Sequence, residues 1–249
     1  MFIAIVGLHV NQESAGLFHK IIQGDRVSLA RAMTLVESSR EEDREVAVGL
    51  LEQAESMRSE IDSSIRLTIS GAPGVGKSTL IERIGLKAIR EGHKVGVLTI
   101  DPSSHISQGS ILGDKSRMHQ LSISESAFVR PSPAGTLLGG LGRRTKEMMT
   151  LLAAAGFDLI FVETVGVGQS EHTAWQLTDG FLLVIQPGSG DELQGIKRGI
   201  TELADIIVVN KSDSNLKESA AISRSHYQNA IHYMTPIRKG WNPKVLTCS

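Results

Sequence analysis

The sequence of 249 residues has a single cysteine, Cys248, so no intramolecular disulfide can form, an absence that fits a reducing compartment. It has no surplus of charge. Lys and Arg number 26 against 27 Asp and Glu, and that balance points neither to nucleic acid nor to an anionic membrane. The apolar start, Met1 to Val10, is too short to span a bilayer. It also lacks the basic lead of a secretory signal and the Arg-rich pattern of a transit peptide, and reads as an N-terminal extension or a strand. The 8 histidines form no H-x-H or H-E-x-x-H cluster, which argues against a dedicated transition-metal site. Trp175 and Trp241 read as packing residues rather than stacking platforms. No internal repeat or low-complexity segment stands out.

What is present is an ordinary balance, 41% hydrophobic and 21% charged, in a chain long enough for one α/β domain with a small appendage. Residues 14 to about 61 carry helical periodicity and no strand-like runs. Leu29, Met33 and Val36 share one face, and Ala47, Leu50, Leu51, Ala54 and Met57 another. Ser39 and Glu42 have capping-box spacing, with Glu41, Asp43 and Glu45 suited to the positive end of that second helix. From Ile65 onward, apolar runs alternate with helical stretches such as Met148, Leu151, Leu152 and Ala155. Val95–Ile100, Leu159–Val162, Phe181–Ile185, Ile206–Val209 and Val245–Leu246 read as buried strands, as a parallel sheet covered on both faces demands. The expected fold is α/β, a doubly wound, mainly parallel sheet, with residues 1–61 as a helical extension and 62–249 as the sheet domain.

The most informative stretch is Gly71-Ala72-Pro73-Gly74-Val75-Gly76-Lys77-Ser78-Thr79. It matches the phosphate-binding pattern G-x-x-x-x-G-K-[ST]. Ile65, Leu67 and Ile69 predict a strand before it; Leu80, Ile81, Ile84 and Leu86 predict a helix after it, closed by Gly92. Glycines let successive N–H groups turn inward as a nest for phosphate oxygens at a helix N-terminus. Lys77 then faces the terminal phosphates, and the Ser78 hydroxyl joins the shell of a magnesium ion. A nucleoside triphosphate is the expected ligand.

Asn210-Lys211-Ser212-Asp213 follows the predicted strand Ile206–Val209 and matches the guanine-reading pattern N-K-x-D. The Asp213 carboxylate can accept two hydrogen bonds from guanine's ring N–H and exocyclic amine. Adenine lacks that donor pair, and a site built for particular hydrogen bonds rejects such an analogue by ~10⁴-fold. Lys211 can lie along the base, and Asn210 can brace neighbouring loops. GTP is therefore expected over ATP. Asp101 and Glu163 each end an apolar run, where an acid can hold magnesium or orient an attacking water. Glu163-Thr164-Val165-Gly166 stands where many GTPases carry D-x-x-G, so Gly166 is expected to donate its N–H to the terminal phosphate. No glutamine follows Gly166 directly, Gln169 being further on, which disfavours a Ras-like catalytic glutamine.

Further blocks resemble one family. Asp101-Pro102-Ser103-Ser104, the segment Gly109 to Lys115, Arg130-Pro131-Ser132-Pro133, the segment Glu163 to Glu171 and the segment Gly190 to Gly199 are similar to the MeaB/ArgK family of methylmalonyl-CoA mutase-associated GTPases. The likeness runs from about residue 24 to the end. It implies a P-loop GTPase that hydrolyses GTP to GDP and phosphate with Mg2+ and switches on dimerisation. Its partner would be a cobalamin-dependent acyl-CoA mutase, which it would supply with cofactor under control and protect from inactivation. It implies that Asp101 and Asp114 belong to a first switch and Glu163 to Gln169 to a second. Gln194 and Lys197 would belong to a third that contacts the mutase; read alone, Glu192 and Lys197 are ordinary solvated helix residues. Ser249 would start a base-contacting loop. The location implied is cytoplasmic in a bacterium and the mitochondrial matrix in a eukaryote. Gln108 departs from the family's usual glycine, and relatives continue past Ser249 into a helix and a dimerisation arm, so this sequence is expected to be a fragment without that arm. The competing readings are a nickel-delivery GTPase, an ATP-dependent small-molecule kinase and a non-catalytic GTP-dependent adaptor. The first lacks its His/Cys cluster, and the second requires Asp213 to be a turn residue.

Overall fold

The computed structural model describes residues 2–101, 118–133, 138–164, 170–188, 198–234, 237–238 and 240–249. Four helices come first: α1 (Phe2–Ile22), α2 (Arg26–Glu37), α3 (Glu41–Ser56) and α4 (Arg58–Ser63). Then follow β1 (Ile65–Ser70), α5 (Lys77–Arg90), β2 (Val95–Asp101), α6 (His119–Ile123), β3 (Ala127–Pro133), α7 (Leu138–Ala154) and β4 (Leu159–Thr164). The chain continues through α8 (Ser170–Leu177), β5 (Gly180–Ile185), α9 (Arg198–Leu203), β6 (Ile206–Val209), α10 (Lys217–His232) and β7 (Lys244–Thr247).

All seven strands are parallel, in the order β3-β2-β4-β1-β5-β6-β7. Residue alternation sorts the core onto two faces. Leu98, Ile100, Ile160 and Val162 meet α7 and the N-terminal helices, whereas Val95, Val97, Phe161, Val184 and Val208 meet α5 and α6. A third cluster joins Phe181, Leu183, Ile185, Ile207 and Val209 to α9 and α10. The N-terminal helices contribute Ile21, Leu29, Met33, Val36, Leu50 and Ala54 to the same continuous core as the strands.

Local chemistry explains the helix ends. Asp25 caps α2 by accepting from the Val27 and Ser28 N–H groups. The Ser28 hydroxyl, which also donates to it, is the main reason its carboxyl titrates below the usual range. The capping box expected at Ser39 and Glu42 does not form. The chain enters α3 at Arg40, one residue later than that box requires, and no side chain caps it. Ser38 takes the work instead, its Oγ accepting from the Arg40 N–H and donating to Asp43. Of the acids expected at the positive end of this helix, Glu41 and Asp43 lie in the first turn together with Glu42, and Glu45 falls beyond it.

Three other expectations change. Of the two readings of Met1 to Val10, the strand is replaced, because Phe2 onward is helical. The short run Val245–Leu246 lies in a strand, but β7 is the sheet's last strand and Leu246 is exposed. An additional strand, β3, has prolines at 131 and 133 that argue against a ladder position. It is tolerated because β3 is the opposite edge strand, and α2 covers it: Glu37 accepts from Arg130 and from Ser132 Oγ, and Arg26 donates to the Ser124 carbonyl at 2.9 Å.

Candidate functional site

The loop after β1 follows from its glycines. Gly71 has φ +147°, and a Cβ there would lie 2.1 Å from the Val184 carbonyl oxygen of the neighbouring strand. Gly76 has φ +96° at the N-cap of α5, and its Cβ would lie 2.4 Å from Asn210 Nδ2. Only glycine fits either place. Between them Ala72, Pro73 and Gly74 are exposed while Val75 is anchored in the core, so the loop arches over the start of α5.

Lys77, the first residue of α5, is 7% exposed. Its Nζ donates to the Gly71 carbonyl at 2.7 Å and the Ala72 carbonyl at 3.1 Å, so the ammonium lies across its own loop. The Ser78 hydroxyl donates to Glu163 Oε1 at 2.9 Å. Glu163 is buried near the end of β4, paired with Ile69 of β1 and Thr99 of β2, which puts its carboxylate beside the helix start. Thr79 is exposed on α5. A hydroxyl and a carboxylate, both oxygen donors, fit a hard divalent cation such as magnesium.

From β6, Asn210 is fixed by its N–H to the Ile185 carbonyl at 2.8 Å, and its Nδ2 donates to the Val75 carbonyl at 2.8 Å. Lys211 sits at φ 55° in the left-handed region, and its Nζ donates to the Gly74 carbonyl at 2.7 Å. Two loops from strands separated by β5 are thus bound into one rim. Asp213 is exposed on that rim, and its carbonyl accepts from Leu216 N–H to close a short 3-10 turn, Ser214–Leu216. Cys248 accepts from both the N–H and the hydroxyl of Ser212, at 3.0 and 2.7 Å, while its own N–H donates to Val209. Ser249 therefore lies next to the N-K-x-D turn. Ser212 was not singled out by sequence: it is the variable position of its motif, and a contact to residue 248 leaves no local signal.

The structure brings Gly71–Thr79, Glu163, Asn210, Lys211, Asp213 and Ser249 to the carboxyl ends of β1, β4, β6 and β7. The Asp101 backbone ends β2 at the same end of the sheet, but its side chain lies outside the described residues. So do Asp114, Gly166, Gln194 and Lys197, with the whole of 102–117, 165–169 and 189–197. Trp175 packs against the third core cluster as expected, with Arg238 over its ring, whereas Trp241 is exposed and its Nε1 donates to the Asp205 carbonyl at 3.0 Å. Among the described residues no helix is long and apolar enough to cross a membrane.

Comparison with known proteins agrees with this geometry. A profile of the family described as methylmalonyl Co-A mutase-associated GTPase MeaB matches residues 29–249. The chain is 46% identical over 230 residues to the GTPase ArgK of Escherichia coli K12, an overlap covering 92% of this chain and 69% of that relative. It is 43% identical over 240 residues to the Mus musculus protein named methylmalonic aciduria type A homolog, mitochondrial, covering 94% of this chain and 58% of the relative. A crystal structure titled LAO/AO transport system kinase is similar with a TM-score of 0.78 and 38% identity, covering 95% of this chain and 68% of that one.

Proposed function

The chain belongs to the family of methylmalonyl-CoA mutase-associated GTPases, and from that premise we propose that it is a GTP-hydrolysing G protein that binds a cobalamin-dependent acyl-CoA mutase, gates its cofactor loading and protects it from inactivation. The observation that carries the nucleotide half of this reading is the double tie of Asn210 to Val75 and Lys211 to Gly74. It holds the Asn210–Asp213 turn and the Gly71–Thr79 loop at one fixed spacing, which supports the reading because a chance N-K-x-D turn on the surface has no reason to be so tied.

In this reading the amides of Gly71 to Thr79 cradle the phosphates, and Lys77 leaves the Gly71 and Ala72 carbonyls for the β- and γ-phosphate oxygens. Ser78 and Glu163 would hold Mg2+, with Asp101 as a further acid, and the ion would supply charge neutralisation. Asp213 reads guanine and Ser249 flanks the base. A water oxygen adds to the γ-phosphorus as the β–γ bridging bond breaks, giving GDP and phosphate. Asp101, Asp114 and Gly166 would follow the γ-phosphate as switch residues, and Lys197 would make the partner's acceleration possible. Residues 1–61 act as a helical extension on a 62–249 GTPase domain, and the full-length protein works as a homodimer. The location is the cytoplasm of a bacterium, or the mitochondrial matrix if the source is a eukaryote.

The test combines competition binding with turnover. GTP and GDP should displace a labelled guanine nucleotide far better than ATP, and Asp213→Asn should erase that preference. Purified mutase should raise the rate of GTP hydrolysis by wild type and much less by Lys197→Ala. Equal displacement by ATP would refute the guanine assignment. Turnover indifferent to the mutase would refute the partner.

A further inference from the structure

We propose that the groove between α2, α3 and α7 is the docking site for an acidic, apolar-tipped segment of the mutase, an inference that rests on the partner reading above. The groove has a volume of about 300 Å³. Its walls are aliphatic, with Leu35 and Val36 from α2 and Val48 and Leu51 from α3, and Val48 is 47% exposed. Its rim is cationic: Arg44 comes from α3, and Arg143 and Arg144 from α7.

The charge is not balanced from within. Glu147 is the one acid lining the groove, and it accepts from Arg143 Nε at 2.7 Å. On the flanking helices Glu37 is committed to Arg130 and Ser132, and Asp43 to Ser38, while Glu42 shares the first turn of α3 without lining the groove. Glu41 and Glu45 share α3 with Arg44 but do not line the groove. Arg44 and Arg144 have no ion pair among the described residues. Two guanidinium groups without an ion pair, over an apolar floor in which Val48 is exposed, match a segment that offers carboxylates around a leucine- or phenylalanine-like tip.

The position of the groove gives such docking a consequence. The arginines of α7 follow β3, whose carboxyl end lies at the nucleotide end of the sheet. Beside them, Gly142 is pressed against α8: a Cβ on Gly142 would lie 2.6 Å from Thr173 Cγ2. The helix α8 begins at Ser170, directly after the segment Glu163–Gln169 that the family resemblance assigns to a γ-phosphate switch. A load on α7 therefore passes through the Gly142–Thr173 contact into the helix that follows that segment in the chain.

The experiment measures binding of the purified mutase to this protein, held with a non-hydrolysable GTP analogue, at two salt concentrations. Arg44→Glu with Arg144→Glu should weaken binding by about tenfold or more and flatten its salt dependence, with basal GTP turnover and melting temperature unchanged. Val48→Asp should weaken it independently. Wild type that fails to bind mutase refutes the partner reading and this site with it. Wild type that binds, with groove variants that bind equally, refutes the groove alone. A change in self-association of the groove variants with mutase affinity intact would show that the occupant is a second copy, and would also overturn the proposal. Gly142→Ala should keep mutase affinity and lose partner-stimulated turnover, and Thr173→Ala in that background should restore it. Full stimulation in Gly142→Ala would remove the proposed route from α7 to α8.

Discussion

Replacing Asn210 by alanine removes the bond that joins the N-K-x-D turn to the Gly71–Thr79 loop. Two effects add. The 2.8 Å bond from Nδ2 to the Val75 carbonyl is lost, and that carbonyl belongs to a residue only 3% exposed, so water replaces the donor poorly. A typical intramolecular hydrogen bond contributes about 1 kcal/mol net, and a stranded buried acceptor costs about 1–3 kcal/mol. Stability should then fall by roughly 1–2 kcal/mol, which for a domain of this size lowers the melting temperature by about 2–8 °C. Whatever part of this the bound state needs more than the free state appears as lost affinity, with an upper bound of roughly 30-fold. Thermal melts and titrations with GDP and with inorganic tripolyphosphate separate the routes. If Asn210 acts by holding the loop, both ligands lose affinity by the same factor. If it acts on the base, only GDP does. A lower melting temperature with both affinities intact would show that the tie supports the sheet and does nothing for the nucleotide.

Ser78→Ala should reduce GTP affinity in the presence of magnesium and leave it nearly unchanged in EDTA, because its hydroxyl faces Glu163 rather than the loop amides; an equal loss in both would refute the metal role. Burial pushes the Tyr227 hydroxyl up to about 12, from an ordinary value near 10.0. Between those values the folded chain holds a proton that the unfolded chain has released, so this contribution to stability is complete below pH about 10 and is lost as pH rises towards 12. Tyr227→Phe should therefore flatten the fall in urea midpoint across that window; an unchanged slope would place the alkaline sensitivity in other groups.

Much of the fold was legible because both sheet faces are covered. Runs such as Phe181–Ile185 and Ile206–Val209 are apolar at consecutive positions, and that pattern reads directly as buried parallel strand. The same covering explains where alternation misled. In β1, Ile65 is 55% exposed while Thr68 and Ser70 are buried, so burial there follows distance along the strand rather than side. Thr68 is accommodated because its hydroxyl meets that of Thr178 at 2.8 Å, a partner far away in sequence.

The candidate site divides in the same way. Gly71, Gly76, Lys77 and Ser78 were legible because a phosphate nest needs those residue types at fixed spacing, and Asn210 and Lys211 because their motif ends a strand. Ser212 and the clamp on β3 were not. Arg130-Pro131-Ser132-Pro133 looks like loop chemistry until α2 is laid along it, whereupon Glu37 collects both Arg130 and Ser132. That clamp has a mechanical meaning no local pattern contains. Ser132 pairs with Ile100 and Pro133 with Asp101, so the helix that holds β3 also sets the lateral support of the strand ending in Asp101. The N-terminal helices are thereby part of the frame of the candidate site, and a residue such as Glu37 can influence it although its own sequence context shows nothing more than the last turn of a helix.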